Sequence, residues 1–189
     1  MKRELCDCIY KRRREKTMNE TLKTLIGRRS VRSYKKDQVP EEILEQILEA
    51  GTYAPSGMGL QPAVMVVVQD AQTIARMSAM NAAVMGGSGD PFYGAPTVVV
   101  VFADSTKSTY VEDGSLVMGN LMNAAFSLGV DSCWVNRAKE VFLTEEGKEL
   151  MKKWGLSENY IGIGNCILGY ADGPRPEAKP RKDGYVIRV

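Results

Sequence analysis

Two nearly continuous β-branched runs, residues 63–69 (Ala-Val-Met-Val-Val-Val-Gln) and 97–103 (Thr-Val-Val-Val-Val-Phe-Ala), most constrain how this chain can fold. Runs this apolar and this short read as strands buried within a sheet. With 189 residues and 44% hydrophobic content, the chain can fill one sizeable core but not two comfortable domains. Helical patterns surround the strands. Asn19 is placed to cap a helix with Leu22, Leu25 and Ile26 on one face. Val39-Pro40-Glu41-Glu42 opens a second, with Pro40 in its first turn and Ile43, Leu44, Ile47 and Leu48 as its buried stripe. A third starts at Asp70 or Thr73 and runs to about Met85. Residues 112–128 form a long helix, apolar almost all round, which predicts either a central helix or a dimer interface. Thr144 caps a helix through Trp154, which Gly155 ends. Short strands are expected at 131–135, 160–170 and 185–189, and the proline- and charge-rich stretch 171–183 reads as an extended arm. About five strands and five helices without strict alternation predict an α+β sandwich, helices around a mixed sheet.

Composition closes several routes to function. There is no histidine, so His-based triads, His general bases and zinc sites that need imidazole are excluded. A chain without histidine that does chemistry is expected to borrow a cofactor. The four cysteines (Cys6, Cys8, Cys133 and Cys166) make no disulfide framework, Cys6-x-Cys8 lacks zinc spacing, and no metal site is expected. Residues 1–18 carry a net charge of +4 of the chain's total of +2, so the remainder is acidic by −2. That footprint is too small for nucleic-acid binding to lead. Its Lys-Arg-Arg-Arg-Glu-Lys stretch looks like a translated purine-rich leader, which makes Met18 the expected native start. Apolar runs are too short to span a bilayer and residues 1–18 hold no signal-peptide core, so a cytoplasmic protein is expected. None of Gly57-x-Gly59, Gly87-x-Gly89 or Gly162-x-Gly164 has the third glycine of a dinucleotide fingerprint, and no P-loop exists.

Three segments carry chemistry instead. Gly27-Arg28-Arg29-Ser30-Val31-Arg32 places three arginines and a serine within five residues, a set of guanidinium forks suited to phosphate oxygens. The bland alternative is that arginines at a helix C-terminus merely complement its dipole. Pro55-Ser56-Gly57-Met58-Gly59-Leu60-Gln61-Pro62 follows the second helix, and Lys179-Pro180-Arg181 lies near the C-terminus. For the last pair the alternative is a solvated charged tail.

In that order and spacing the three segments resemble the flavin-dependent nitroreductase family, over about residues 19–189; residues 1–18 are left as a basic extension. The resemblance implies a three-layer α/β/α sandwich with a mixed, mainly antiparallel sheet and a C-terminal arm exchanged between subunits. It implies a homodimer with FMN at the subunit interface and hydride transfer from NAD(P)H to nitroaromatic, quinone or related small-molecule acceptors by a ping-pong mechanism. The chemistry would be carried by FMN, with no catalytic side chain, no metal, no nucleic acid and no membrane. Arg28, Ser30 and Arg32 would hold FMN, Arg29 contributing, with Arg32 near the N1/O2 edge of the ring; Lys179 and Arg181 would complete the phosphate's counter-charge. Pro55, Ser56, Gly57, Gly59 and Gln61 would approach the flavin from the other subunit. Gly57 and Gly59 stand where the family usually has serine and asparagine, so two side-chain donors are missing there. Cys133, Trp134, Val135 and Asn136 resemble the strand under the flavin ring, with a backbone N–H near Asn136 or Arg137 facing N5 and Cys133 as packing. Asn81 would sit near the pyrimidine edge, and Phe92 and Tyr93 would line the substrate pocket. The alternatives are a flavin reductase or specialised reductive branch of the same fold, or a non-catalytic flavin-sequestering protein.

Overall fold

The computed structural model describes residues 18–189, so the basic extension and its two cysteines lie outside the described residues. Four strands, β1 (Ala63–Val68), β2 (Thr97–Asp104), β3 (Asp131–Val135) and β4 (Tyr160–Gly169), form one sheet in the order β1-β2-β4-β3. Every strand pair is antiparallel, with Val66 opposite Val100, Val100 opposite Asn165 and Cys133 opposite Ile167. Among the described residues, the parallel component is a single bridge between Ser30 and Ser132. Six α-helices flank the sheet: α1 (Glu20–Gly27), α2 (Glu41–Thr52), α3 (Ala71–Val84), α4 (Tyr110–Ser127), α5 (Ala138–Leu143) and α6 (Glu145–Lys153). None of them is long and apolar enough to cross a membrane.

β2 explains why its run is unbroken. Successive side chains of a strand point to opposite faces. Val98, Val100 and Phe102 therefore enter one core, where Met77 and Met80 of α3, Phe142 of α5 and Leu150 of α6 meet them. Val99 and Val101 enter the other core with Leu44 and Ile47 of α2 and Met118 and Leu121 of α4. A sheet covered on both faces needs apolar residues at every position, and the three-layer sandwich follows. In the first core Phe102 meets Phe142 edge-on at 4.7 Å between ring centroids, with Trp154 at 5.6 Å from Phe142.

The Gly162-x-Gly164 pair serves close packing, as its lack of a fingerprint predicts. A Cβ on Gly162 would lie 2.7 Å from the Ala138 backbone, and one on Gly164 would lie 2.6 Å from the Trp134 indole nitrogen. Helix starts follow side-chain caps. Asn19 accepts from the Leu22 N–H at 2.9 Å, and Asp70, rather than Thr73, caps α3 by accepting from the Thr73 N–H at 2.8 Å.

Three expectations are corrected. Within the single chain residues 185–189 form no strand and pair with neither edge of the sheet, β1 or β3. α5 is an extra helix, so the described residues hold four strands and six α-helices instead of five of each. Pro40 occupies the cap position before α2 and not its first turn. α4 buries Asp113, Gly114, Val117, Met118, Leu121 and Ala125, while Val111 and Leu116 on its other side stay exposed in the single chain. α1 buries none of its residues, and its stripe of Leu22, Leu25 and Ile26 faces outward.

Candidate functional site

The segment after α1 runs beside β3 because two bonds hold it there. The Val31 N–H donates to the Ser132 carbonyl at 3.2 Å, and the Lys35 N–H to the Tyr170 carbonyl at 2.9 Å. Val31 and Tyr34 point into the core, where the Tyr34 hydroxyl donates to the Val31 carbonyl at 3.0 Å. Burial raises the Tyr34 pKa well above its ordinary value. On either side of Ser30, Arg28 is half-buried and Arg32 is exposed.

The three arginines are not equivalent. Arg29 Nη1 donates to the carbonyls of Ile26, Gly27 and Arg28 at 2.8, 3.0 and 2.7 Å. It therefore closes the C-terminus of α1, and the dipole-complement role describes this residue. Arg28 makes no such bonds, and its Nη1 is buried without a hydrogen-bond partner. A buried cationic donor left unpaired is costly and is most simply explained by a ligand that the site is built to accept.

The chain's two ends meet at this point. After β4, the Asp172 N–H donates to the Ser33 carbonyl at 2.9 Å, and the chain returns over α1. Together they enclose a cleft of about 980 Å³, within the range of small-molecule sites. One wall carries Arg28, Ser30 and Arg32; the other carries Lys179 and Arg181, and Leu25 and Ile26 supply an apolar side. Among the described residues, Glu177 is the one acid lining it. Residues about 150 positions apart in sequence thus line one cleft, although Lys179 and Arg181 are themselves exposed.

The Pro55–Pro62 segment does not line that cleft within one chain. It is a tightly specified loop, with Met58, Gly59 and Gln61 left-handed at φ of 52°, 66° and 48°. Ser56 Oγ accepts from the Gln61 N–H at 3.1 Å, so this hydroxyl has a structural partner. Asp113, buried in the first turn of α4, accepts from the Gly57 N–H at 2.9 Å and from the Thr109 hydroxyl at 2.8 Å. A Cβ on Gly57 would lie 2.4 Å from Thr109 Oγ1, which explains why glycine stands where the resemblance leads one to expect serine. Gly59 has open space around it. Pro55 and Gln61 are exposed, and Met58 is 88% exposed.

At the end of β3, Cys133 and Val135 are buried, Trp134 is half-buried and Asn136 is exposed. The next residue, Arg137, is left-handed at φ 78°. A non-glycine residue held there is strained, a condition that clusters at functional sites. Cys133 packs in the core, and burial pushes the Cys166 thiol up to about 12, so this thiol stays protonated and inert. Asn81 is fully buried in α3 with its Oδ1 unpartnered. Phe92 is buried and lines a separate cavity of about 720 Å³ with Lys36, Ser78 and Asp90, while Tyr93 sits on the surface. Neither aromatic reaches the cationic cleft within one chain. Sequence reasoning missed Asp113 and Asp131, carboxylates that belong to no motif. Asp131 at least stands as a single acid in a mostly apolar stretch, whereas Asp113 follows Glu112 at the start of a helix and carries no separate signal. No group of three or more potential metal ligands occurs among the described residues.

Residues 25–170 match the model of the nitroreductase family. A protein of Archaeoglobus fulgidus, provisionally named NADH dehydrogenase/NAD(P)H nitroreductase, is 34% identical over 174 residues, covering 89% of this chain and 91% of the relative. An FMN reductase [NAD(P)H] of Bacillus subtilis is 34% identical over 187 residues, covering 87% of this chain and 70% of its own. Among solved structures, a nitroreductase with bound FMN from Bacteroides fragilis superposes with a TM-score of 0.84 at 30% identity, covering 91% of this chain and all of the other. Another with bound FMN, from Desulfitobacterium hafniense, gives 0.82 at 30% identity, with 92% and 100% covered.

Proposed function

This chain belongs to the nitroreductase family, and from that premise we propose that it is an FMN-dependent oxidoreductase passing hydride from NAD(P)H to a small electron acceptor. One observation carries the proposal: the cleft that brings Arg28, Ser30 and Arg32 against Lys179 and Arg181. The residues fit the cofactor. An FMN phosphate carries nearly two negative charges and needs more than one cation. Arg28, with its buried Nη1 unpaired, and the two arm cations would hold it. The Ser30 hydroxyl adds a neutral donor, and Leu25 and Ile26 offer apolar surface. Bound there, FMN would supply two-electron hydride chemistry that this chain's side chains cannot perform.

The protein's own part is position and charge. Arg32 would set a fixed cation at the electron-rich edge of the ring, favouring the reduced state. The strained turn at Asn136 and Arg137 would present a backbone N–H to the reacting nitrogen. No side chain need act as acid or base, which fits a chain without histidine. We take the protein to act as a homodimer, with the loop 55–61 of one subunit facing the cleft of its partner. The outward stripe of α1 and the exposed Tyr185, Val186 and Ile187 of the arm support that arrangement. Acceptors of nitroaromatic or quinone type would follow the nucleotide into the same place, in ping-pong order.

The test is an absorption titration of the FMN-loaded, desalted protein under anaerobic conditions. Bleaching by NADH or NADPH, then recovery on adding a nitroarene or quinone, is the expected result. Flavin that stays oxidised with both nucleotides would sink the oxidoreductase and leave a flavin-sequestering protein. The Bacillus subtilis relative favours a second reading, reduction of free flavin. Turnover with free FMN that exceeds turnover with every nitroarene and quinone tried would support it.

A further inference from the structure

Asp131 opens β3 and is only 4% exposed, so its charge must be paired inside the protein. Its Oδ1 accepts from Arg175 Nε at 2.7 Å, while Oδ2 accepts from Arg175 Nη2 at 3.4 Å and from the Ala171 N–H at 3.1 Å. The Arg175 guanidinium also lies 5.4 Å from the centre of the Phe126 ring. Phe126 in turn sits against Gly27, where a Cβ would come 3.0 Å from the ring edge. Among the described residues, no other side-chain hydrogen bond ties residues 173–181 to the rest of the molecule. The next residue, Ser132, accepts from the Val31 N–H and bridges to Ser30.

Two adjacent residues of β3 therefore hold both walls of the cationic cleft. Ser132 fixes the wall bearing Arg28 and Arg32; Asp131 fixes the wall bearing Lys179 and Arg181, through Arg175. From Arg175 to Lys179 is one short stretch of chain, stiffened by Pro176. Arg175 is committed to Asp131 and is not among the residues lining the cleft.

We propose that Asp131 and Arg175 are a positioning pair that holds the arm's cations over the cleft and so sets its preference for a phosphorylated flavin over the unphosphorylated one. This rests on the reading of the cleft as the place of the FMN phosphate. Positioning and bulk charge make opposite predictions for Asp131→Asn. Removing a negative charge near the cleft would tighten anion binding if charge alone mattered. Losing the arm's anchor would weaken it.

The experiment measures dissociation constants of FMN and riboflavin by quenching of flavin fluorescence, at one fixed salt concentration. Wild type, Arg175→Ala, Asp131→Asn and the double variant are compared. Wild type should favour FMN. Each single variant should lose about tenfold in FMN affinity, the scale of one charge-assisted contact, and stay within about twofold for riboflavin. The double variant should be no worse than either single, since each already breaks the same pair. Tighter FMN binding by Asp131→Asn, unchanged FMN binding, or equal losses for both flavins would each overturn the positioning role. A wild-type protein that binds riboflavin as tightly as FMN would overturn the phosphate reading itself, a result visible before any variant is made.

Discussion

At the scale of single residues, identity and spacing do not fix a role. Arg28 and Arg29 are neighbours of the same type, yet one keeps a buried unpaired nitrogen and the other closes a helix. Arg28→Ala should lower FMN affinity about tenfold with little change in melting temperature. Arg29→Ala should instead cost about 0.5–1 kcal/mol of stability, read in a urea titration, with a smaller effect on FMN. The sequence offered the three arginines as one candidate phosphate-binding group. Their division of labour was not, because it depends on which guanidinium turns back toward the carbonyls of α1. Asp113 and Asp131 were illegible for a related reason: their partners lie 56 and 44 positions away and announce no pattern. Cys166 gives a pH signature. Its folded pKa is raised by burial from 9.0 to about 12, so the native state keeps a proton that the unfolded chain releases. Stability is complete below pH 9 and falls as pH rises from there toward about 12, by up to ~1.4 kcal/mol per pH unit. Urea unfolding at pH 8, 9 and 10 should show this slope, and Cys166→Ala should flatten it.

At the scale of elements, the sequence spoke clearly where one physical rule dominated. The unbroken valine run of β2 showed as a strand covered on both faces, and Asn19 and Thr144 showed as caps. α5 escaped because it starts from a left-handed arginine, without a side-chain cap, and lasts six residues. The tail strand at 185–189 was expected from its composition, but a strand forms only when paired, and within the single chain these residues lie on neither β1 nor β3. The Pro-Ser loop is where sequence and structure inform each other most. Gly57 read as a departure that weakened the site; it is the residue that lets Thr109 reach Asp113. Gly57→Ser should therefore destabilise the protein by about 1–2 kcal/mol in thermal or urea unfolding, because the new Cβ meets the threonine side chain. Adding Thr109→Ala should recover part of that loss. If the serine variant is as stable as wild type, the loop does not depend on this close approach.

At the scale of the whole molecule, a single chain leaves apolar surface that its own fold does not cover. Leu22, Leu25 and Ile26 on α1 are between 45% and 53% exposed, and Val186 and Ile187 of the arm more so. A homodimer would bury such surface. Sedimentation should give twice the chain mass, and Leu25→Glu should shift it toward monomer while lowering FMN retention. A dimer undisturbed by that variant would place the interface elsewhere. One feature of the cleft also bears on when it can exist. No residue after Gly169 is buried, and beyond Tyr170 and Ala171 nothing packs on either core. Synthesis runs from the N-terminus, so the wall bearing Lys179 and Arg181 emerges after the sheet and helices. On the proposed reading, cofactor capture would therefore wait on residues that follow the folded cores. A copy ended early, or clipped between Arg175 and Lys179, would keep its sheet and helices and pass for native by its secondary structure. It would remain a folded blank, and the yellow colour of bound flavin would report an intact arm as well as folding.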